Sequence, residues 1–340
     1  MSSHDFSIVR ATSASRVWAL VGVAALGVLA AVPFWATAGD MHTLIEALTL
    51  LALAQMWNLL AGYAGLVSIG QQAYIGLGAY GLYVYSDRAG IHPFLAVIVA
   101  GLTMMVIAIP TAALAFRLRG GYFAIGTWVI AEVYHLLVAN FPELGAGNGI
   151  TVSSVAQLGR ETRDRGAYWL ALAAGVGAIL LVYLILRSRL GLALTAIRDN
   201  EAGAQSLGVD VLRAKVIVYL VAAFGCGFAG AVFYLNAIRI QPDAAFTVNW
   251  TAYMLFIVVI GGIGTIEGPI LGTAVFFVMQ ELLADYGVWY LVALGGVAVA
   301  VMLVSPGGLW SLVRRRFDVS LFPVQRRLRA RPVTPSASPP

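Results

Sequence analysis

Of the side chains in this sequence that could handle a proton, a carboxylate or an ammonium group, only a few fall inside long apolar runs. Glu132 is the clearest, with His135 one turn after it and Trp128 one turn before, so the three share a helical face. A carboxylate beside an imidazole can pass protons along a path. It can equally be a satisfied pair packed between helices, or sit wet near a surface. Gln55 and Asn58 in one run, and Ser68, Gln71, Gln72 and Tyr74 in the next, are the other groups able to line a polar route. Asn236, Gln280 and Glu281 fall near the ends of runs and read as interfacial. Glu267 is a further candidate for the path, or simply complements the dipole of the helix that follows. An acidic residue at the centre of a membrane span costs roughly 2.5–3.5 kcal/mol on insertion scales, so such positions need a reason.

The elements that must position these groups follow from composition. The chain has 340 residues, 60% hydrophobic and 11% charged, against a soluble norm of about 25% charged. No soluble core could hide that much apolar surface, so the fold class is an all-α polytopic membrane helix bundle. A span needs about 20 apolar residues, and there are ten candidate stretches, the third, eighth and ninth of them short: 17–38, 41–60, 71–86, 93–116, 120–140, 167–187, 214–236, 250–260, 269–284 and 286–305. The first follows Arg10 and Arg16 and ends near Ala36-Thr37-Ala38, which resembles a signal peptide. Its apolar stretch is long for one, and we read it as an uncleaved span.

With ten spans and the N-terminus inside, sixteen of the 21 basic residues fall on inner segments and five on outer ones, placing both termini in the cytoplasm. Residues 1–16 then form a cytoplasmic tail, 17–305 the permeating domain, 141–166 an outer loop and 188–213 an inner one. Residues 306–340 make a basic tail, whose closing VTPSASPP reads as disordered.

Two stretches break the continuous-helix rule. In Asn58 to Gly81, glycines stand at 62, 65, 70, 76, 78 and 81, and the Ser68/Gln71 spacing predicts a capping box with a helix from Ile69. In Gly261 to Gly272, Gly268 precedes Pro269, which predicts a helix with proline first. Helix ends at membrane depth are tolerated only where protein or a wet cavity satisfies the backbone. Either both breaks line a polar path and hold an anionic group at a helix N-terminus, or they are packing devices near the inner surface. By contrast, Ala222, Cys226 and Gly230, and Ala223, Gly227 and Ala231, repeat every four residues and read as plain close packing.

The inner loop holds RDNEAGAQSLGVDVLRAK, Arg198 to Lys215. Asp199-Asn200 is N-cap chemistry, Glu201 to Leu207 a turn or two of helix, and Gly208 its C′ residue. An exposed helix held between two spans is a lever that a soluble partner can push, or an ordinary loop helix.

Much chemistry is excluded. No GxxxxGK[ST] loop occurs, no GxSxG occurs, and the histidines at 4, 42, 92 and 135 offer no helical pair for a metal. The lone Cys226 allows no intrachain disulfide. We expect no catalytic residue, no metal, no bound cofactor and no nucleic-acid partner.

At this point the run NLLAGYAGLVSIGQQAYIGLGAY resembles the signature of branched-chain amino-acid ABC importer permeases. RLRGGYFAIGTWVIAEV at 117–133 is similar to the LivM branch rather than its LivH partner. GNGI at 147–150, AIRDNEAGAQSLGVDV at 196–211 and GGIGTIEGPILGT at 261–273 continue the likeness in order, over most of residues 45–305. The resemblance implies about ten helices in a bacterial inner membrane and pairing with a second, LivH-like permease. It also implies two cytoplasmic ATPases that use the ATP, and a periplasmic substrate-binding protein. It makes Arg198, Asp199, Asn200, Glu201, Ala202 and Gly208 part of a coupling loop. Glu201-Ala202 with Gly208 approximates the EAA pattern, but Gly203 replaces the second alanine, the glycine comes one place late and the distal I-x-L-P is missing. Gln71 stands where relatives commonly have histidine. Urea and short-amide permeases share very similar motifs and are the alternative within this class. An ion-coupled secondary transporter or channel, using Glu132 and the broken helices, is the alternative outside it.

Overall fold

The computed structural model describes residues 22–283, 287, 289–316 and 322 in full, and the backbone alone for 6–9, 13–21, 317 and 327–330. The closing VTPSASPP and Arg10 lie outside the described residues. Strand β1 (Phe6–Val9) pairs antiparallel with β4 (Arg327–Ala330), bringing the two tails together.

Each of the ten apolar stretches is helical. They form α1 (Ser13–Ala31), α2 (Ala38–Asn58), α3 (Gln72–Tyr83), α4 (Pro93–Ala115), α5 (Gly121–Asn140), α7 (Arg160–Arg187), α10 (Val211–Ala237), α12 (Asn249–Gly261), α13 (Glu267–Leu283) and α14 (Trp289–Val304). Among the described residues, six helices are long and apolar enough to cross a membrane alone. A seventh is available if α14 and α15 (Gly308–Phe317), bent by 43° at their junction, count as one span. The chain is therefore an all-α membrane helix bundle.

Helix α2 lies at the centre, contacting α7, α10, α12 and α13. It is continued by a π turn over Leu59–Tyr63, so its buried face runs unbroken from Ile45 to Ala64. Helix α10 packs on α3 and α4 through the small-residue repeat. A Cβ on Gly230 would strike the backbone of Ile75, and one on Gly78 the backbone of Gly227. Here two helix backbones touch, which is why these positions are glycine. The outward faces carry Leu95, Ile98, Leu102, Val106 and Ile109 on α4 and Ile125, Val129, Val133 and Leu136 on α5, apolar stripes suited to lipid or a neighbouring chain.

Three helix starts differ from expectation, each for a local reason. Helix α7 starts at Arg160 rather than 167, because its charged first turns pair with themselves: Arg165 with Glu161 at 2.8 Å and Arg163 with Asp164 at 2.9 Å. At 28 residues it spans about 42 Å, so this turn projects beyond a hydrocarbon core of about 30 Å. The outer loop is correspondingly shorter and contains α6 (Ser153–Ala156). Helix α3 starts at Gln72, not Ile69; no capping box forms, because the Ser68 hydroxyl takes the Gly70 amide and the Gln71 side chain instead. Pro269 is the third residue of α13, since Thr265 Oγ1 accepts from the Gly268 amide and draws the helix start back to Glu267. The inner loop carries an unexpected helix, α8 (Arg189–Asp199).

Candidate functional site

Ser188 starts α8 by accepting from the Leu190 amide at 3.2 Å. Gly191, Leu194 and Ile197, at three-residue spacing, bury one face of it. The chain then turns at Asn200, whose Oδ1 accepts from the Gly203 amide at 2.9 Å and caps α9 (Glu201–Ser206). Gly208, at φ +84°, ends it, and the Val209 amide closes back on the Ala204 carbonyl at 3.1 Å. Asp199, expected to share the cap, is instead the last residue of α8 and pairs with Arg198 at 3.3 Å. Glu201 is tied to Lys215, the chain's only lysine, at 2.8 Å, which fixes α9 against the first turns of α10. Ala204 is buried beneath the short helix, Ala202 and Gly208 face out, and Leu207, Leu192 and Leu212 are 85%, 72% and 60% exposed. Leu192 on α8, Leu207 at the end of α9 and Leu212 at the start of α10 are thus three bare leucines on the inner loop.

Arg198 turns from this loop into the bundle. Its Nη1 donates to the Gly62 carbonyl at 3.1 Å, at the π turn that ends α2. One turn earlier Asn58 reaches the other break, donating to the Thr265 carbonyl at 2.8 Å and accepting from the Gly264 amide at 2.8 Å. One turn earlier again, Gln55 donates to the Ile266 carbonyl at 2.7 Å. The two Gly-rich breaks are thus stitched to each other, with backbone groups of 264–266 satisfied by the buried side-chain amides of Gln55 and Asn58. Glu267, nearly buried, accepts from the Phe322 amide at 3.1 Å, and Tyr63 lies within electrostatic reach of both Glu267 and Arg198. Gly308 at the α14–α15 junction abuts Gly262, so a third break joins the same cluster.

The remaining residues proposed for a path fall in separate places. Ser68 and Gln71 are fully buried; Trp57 Nε1 donates to the Ser68 carbonyl at 2.9 Å, and Thr127 of α5 takes the Ile69 amide. The Oε1 atoms of Gln55 and Gln71 have no hydrogen-bond partner among the described residues. Gln72 accepts from Thr251 at 2.6 Å. Tyr74 meets Tyr219 hydroxyl to hydroxyl at 3.1 Å, with Thr111 and Tyr134 bonded to each other at 2.9 Å nearby. Tyr219 and Thr127 escaped the sequence reading because nothing in their own segments marks them; their partners come from distant helices.

At the opposite end of the bundle, His135 sits between two carboxylates, 3.1 Å from Glu132 and 3.1 Å from Asp243 in α11 (Pro242–Ala245), with its ring stacked on Phe246. Glu132 is half exposed and Asp243 almost wholly so, so this is a surface cluster rather than a buried relay. Asp243 lies 108 residues from His135, beyond any local spacing. Glu46 is a second omission: half-buried in α2, it lies in electrostatic reach of His42, Tyr253 and Tyr290, and its position inside an apolar run was the available signal.

The same end carries a small polar cap. Strand β2 (Ile150–Thr151), which continues GNGI, pairs with β3 (Arg239–Ile240). Arg88 holds the Glu143 carbonyl at 2.9 Å. Asp87 accepts from the Ser153 and Ser154 amides at 2.7 and 3.0 Å. Partial burial pushes the Asp87 carboxyl up, but the bonds from Ser154, Ser153 and Ser86 outweigh it and hold the group below the ordinary carboxylate range.

The sequence model of the family described as the permease component of the branched-chain amino acid transport system matches residues 37–306. The chain is 28% identical over 318 residues to the Salmonella typhimurium high-affinity branched-chain amino acid transport system permease protein LivM, covering 86% of this chain and 75% of that one. It is 29% identical over 334 residues to the Escherichia coli K12 protein of the same name, covering 90% and 78%. A probable branched-chain amino acid transport permease protein LivM of Methanocaldococcus jannaschii is 25% identical over 194 residues, 56% of each chain. No solved structure matches.

Proposed function

Because this chain belongs to the permease-component family of the branched-chain amino acid transport system, we propose that it is one transmembrane permease subunit of an ATP-driven importer for leucine, isoleucine and valine. In this reading it works beside a second permease, two cytoplasmic ATPases and an external binding protein, and carries out no covalent chemistry itself. Ten spans with both termini in the cytoplasm put the Arg198 end inside and the His135 end outside, in keeping with the sixteen-to-five distribution of basic residues.

The observation that carries the proposal is the projection formed by α8 and α9: capped at both ends, anchored by Lys215–Glu201, with Leu207, Leu192 and Leu212 exposed on and beside it. Exposed leucines on a short, fixed projection suit a groove on a soluble partner. ATP binding closes the ATPase pair, the projection moves with its groove, and the bundle alternates between inward-open and outward-open forms. Specificity in this reading lies mostly with the external binding protein.

Co-purification with the candidate ATPases tests the dock. Wild type should capture them and Leu207→Glu should not, with the bundle still folded; Glu201→Arg is the poorer choice, because it also breaks the Lys215 bridge. Capture by both forms would remove Leu207 from the dock. Uptake by vesicles holding an ion gradient but no ATP or ATPase would replace the importer with a secondary transporter. Competition of leucine uptake by urea would redirect the substrate toward short amides.

A further inference from the structure

The breaks at Gly62–Ser68, at 262–266 and at the α14–α15 junction form one cluster, and the Arg198 side chain hydrogen-bonds that cluster to the projection. We infer that Arg198 is an internal tie that carries displacement of α8 and α9 into the helix breaks, a positioning residue rather than a contact for the ATPase. The inference rests on the proposed function.

Three observations carry it. First, the Arg198 guanidinium donates to the Gly62 carbonyl at 3.1 Å, one of the carbonyls that the end of a helix leaves without an intrahelical partner. A charged donor on such a carbonyl is favoured again by the negative end of the helix dipole. Second, Gln55, Asn58 and Gly62 stand three and four apart along α2 and the π turn that continues it, and each of them bonds outside that helix. Gln55 and Asn58 hold the backbone of 264–266, while Gly62 holds Arg198. Third, the joint has no slack. A Cβ on Gly62 would collide with the Asn58 amide and with the Gly264 backbone, while one on Gly264 would lie 3.3 Å from Arg198 Nη1.

Gly264 occupies φ +74° and Gly65 φ +68°, which lets both loops fold tightly around the guanidinium. Displacement of the projection therefore cannot leave Gly62 behind without breaking a charge-assisted bond, and Gly62 cannot move without the start of α13. Among the described residues, α4 and α5 supply none of the hydrogen bonds made by Gln55, Asn58, Gly62 and Arg198.

The test compares Arg198→Gln and Arg198→Lys in the importer reconstituted with its second permease, its ATPases and its binding protein. For Arg198→Gln we expect normal capture of the ATPases and continued ATP hydrolysis, while uptake per ATP falls about tenfold, the shift expected when one charge-assisted bond is lost from one of two conformations. Arg198→Lys, which keeps a charged donor, should recover part of the loss. Unchanged uptake per ATP with ATPases bound would overturn the inference and leave the proposed function intact. Loss of capture would also overturn it, moving Arg198 into the dock. No capture by wild type would remove the proposed function, and the inference with it.

Spin labels at Gln205→Cys and Ile263→Cys separate coupling from simple instability, since the native Cys226 is buried. ATP should move the label at 205 in both backgrounds and the label at 263 only where Arg198 is present. Movement at 263 in Arg198→Gln would overturn the tie.

Discussion

At the residue scale, the side chains that looked most reactive are engaged in structure. Asn58 uses both ends of its amide on the opposite loop, so Asn58→Leu strands the Gly264 amide and the Thr265 carbonyl in a half-buried site. A cost of about 1–3 kcal/mol for each unsatisfied group is expected, read as a fall in the thermal midpoint in detergent; an unchanged midpoint would show that water replaces the amide. Asp87 offers a pH test. Its folded pKa lies below the ordinary value, so the stability it confers is fully present above about pH 3.9 and is lost as pH falls through the depressed value. Exchange of the Ser153 and Ser154 amides should accelerate in that acid window in wild type and already at neutral pH in Asp87→Ala.

At the scale of elements, α9 is a six-residue helix, far too short to be stable alone. Its shape depends on Asn200 at one end, Gly208 at the other and Ala204 beneath. Gly208 has open space around its Cα but sits at φ +84°. Gly208→Ala therefore introduces strain of roughly 1–2 kcal/mol without a clash, and we expect ATPase capture to weaken several-fold while expression holds. The α3–α10 crossing is the opposite case, because Gly230 faces the Ile75 backbone directly. Gly230→Val should prevent α3 from docking and lower recovery of folded protein, whereas Gly177→Val on α7, where a Cβ meets nothing within 4 Å, should be neutral.

At the scale of the whole molecule, the bonds sort by end. The hydrogen bonds of Arg88, Asp87 and His135 gather at one end with the β2–β3 pair, and those of Arg198, Asn58 and Gln55 at the other. An impermeant thiol reagent applied from outside should label Glu143→Cys and not Gln205→Cys, with the reverse in inverted vesicles. The same accessibility for both would overturn the sidedness proposed here.

Sequence by itself determined the membrane class, the presence of ten apolar helices and the Asn200 and Gly208 caps of α9, because hydrophobic run length, Asn at an N-cap and Gly at a left-handed C′ act through neighbours in the chain. It also located both breaks, since glycine density needs no partner to be seen. Only the tertiary structure decided what the breaks do. Gln55, Asn58 and Gly62 meet residues 264–266 and Arg198 across more than 130 positions of chain, and His135 finds Asp243 across 108. Helical periodicity specifies which face a residue occupies, but the neighbour on that face is set by how helices cross, and that depends on packing distributed over the whole bundle.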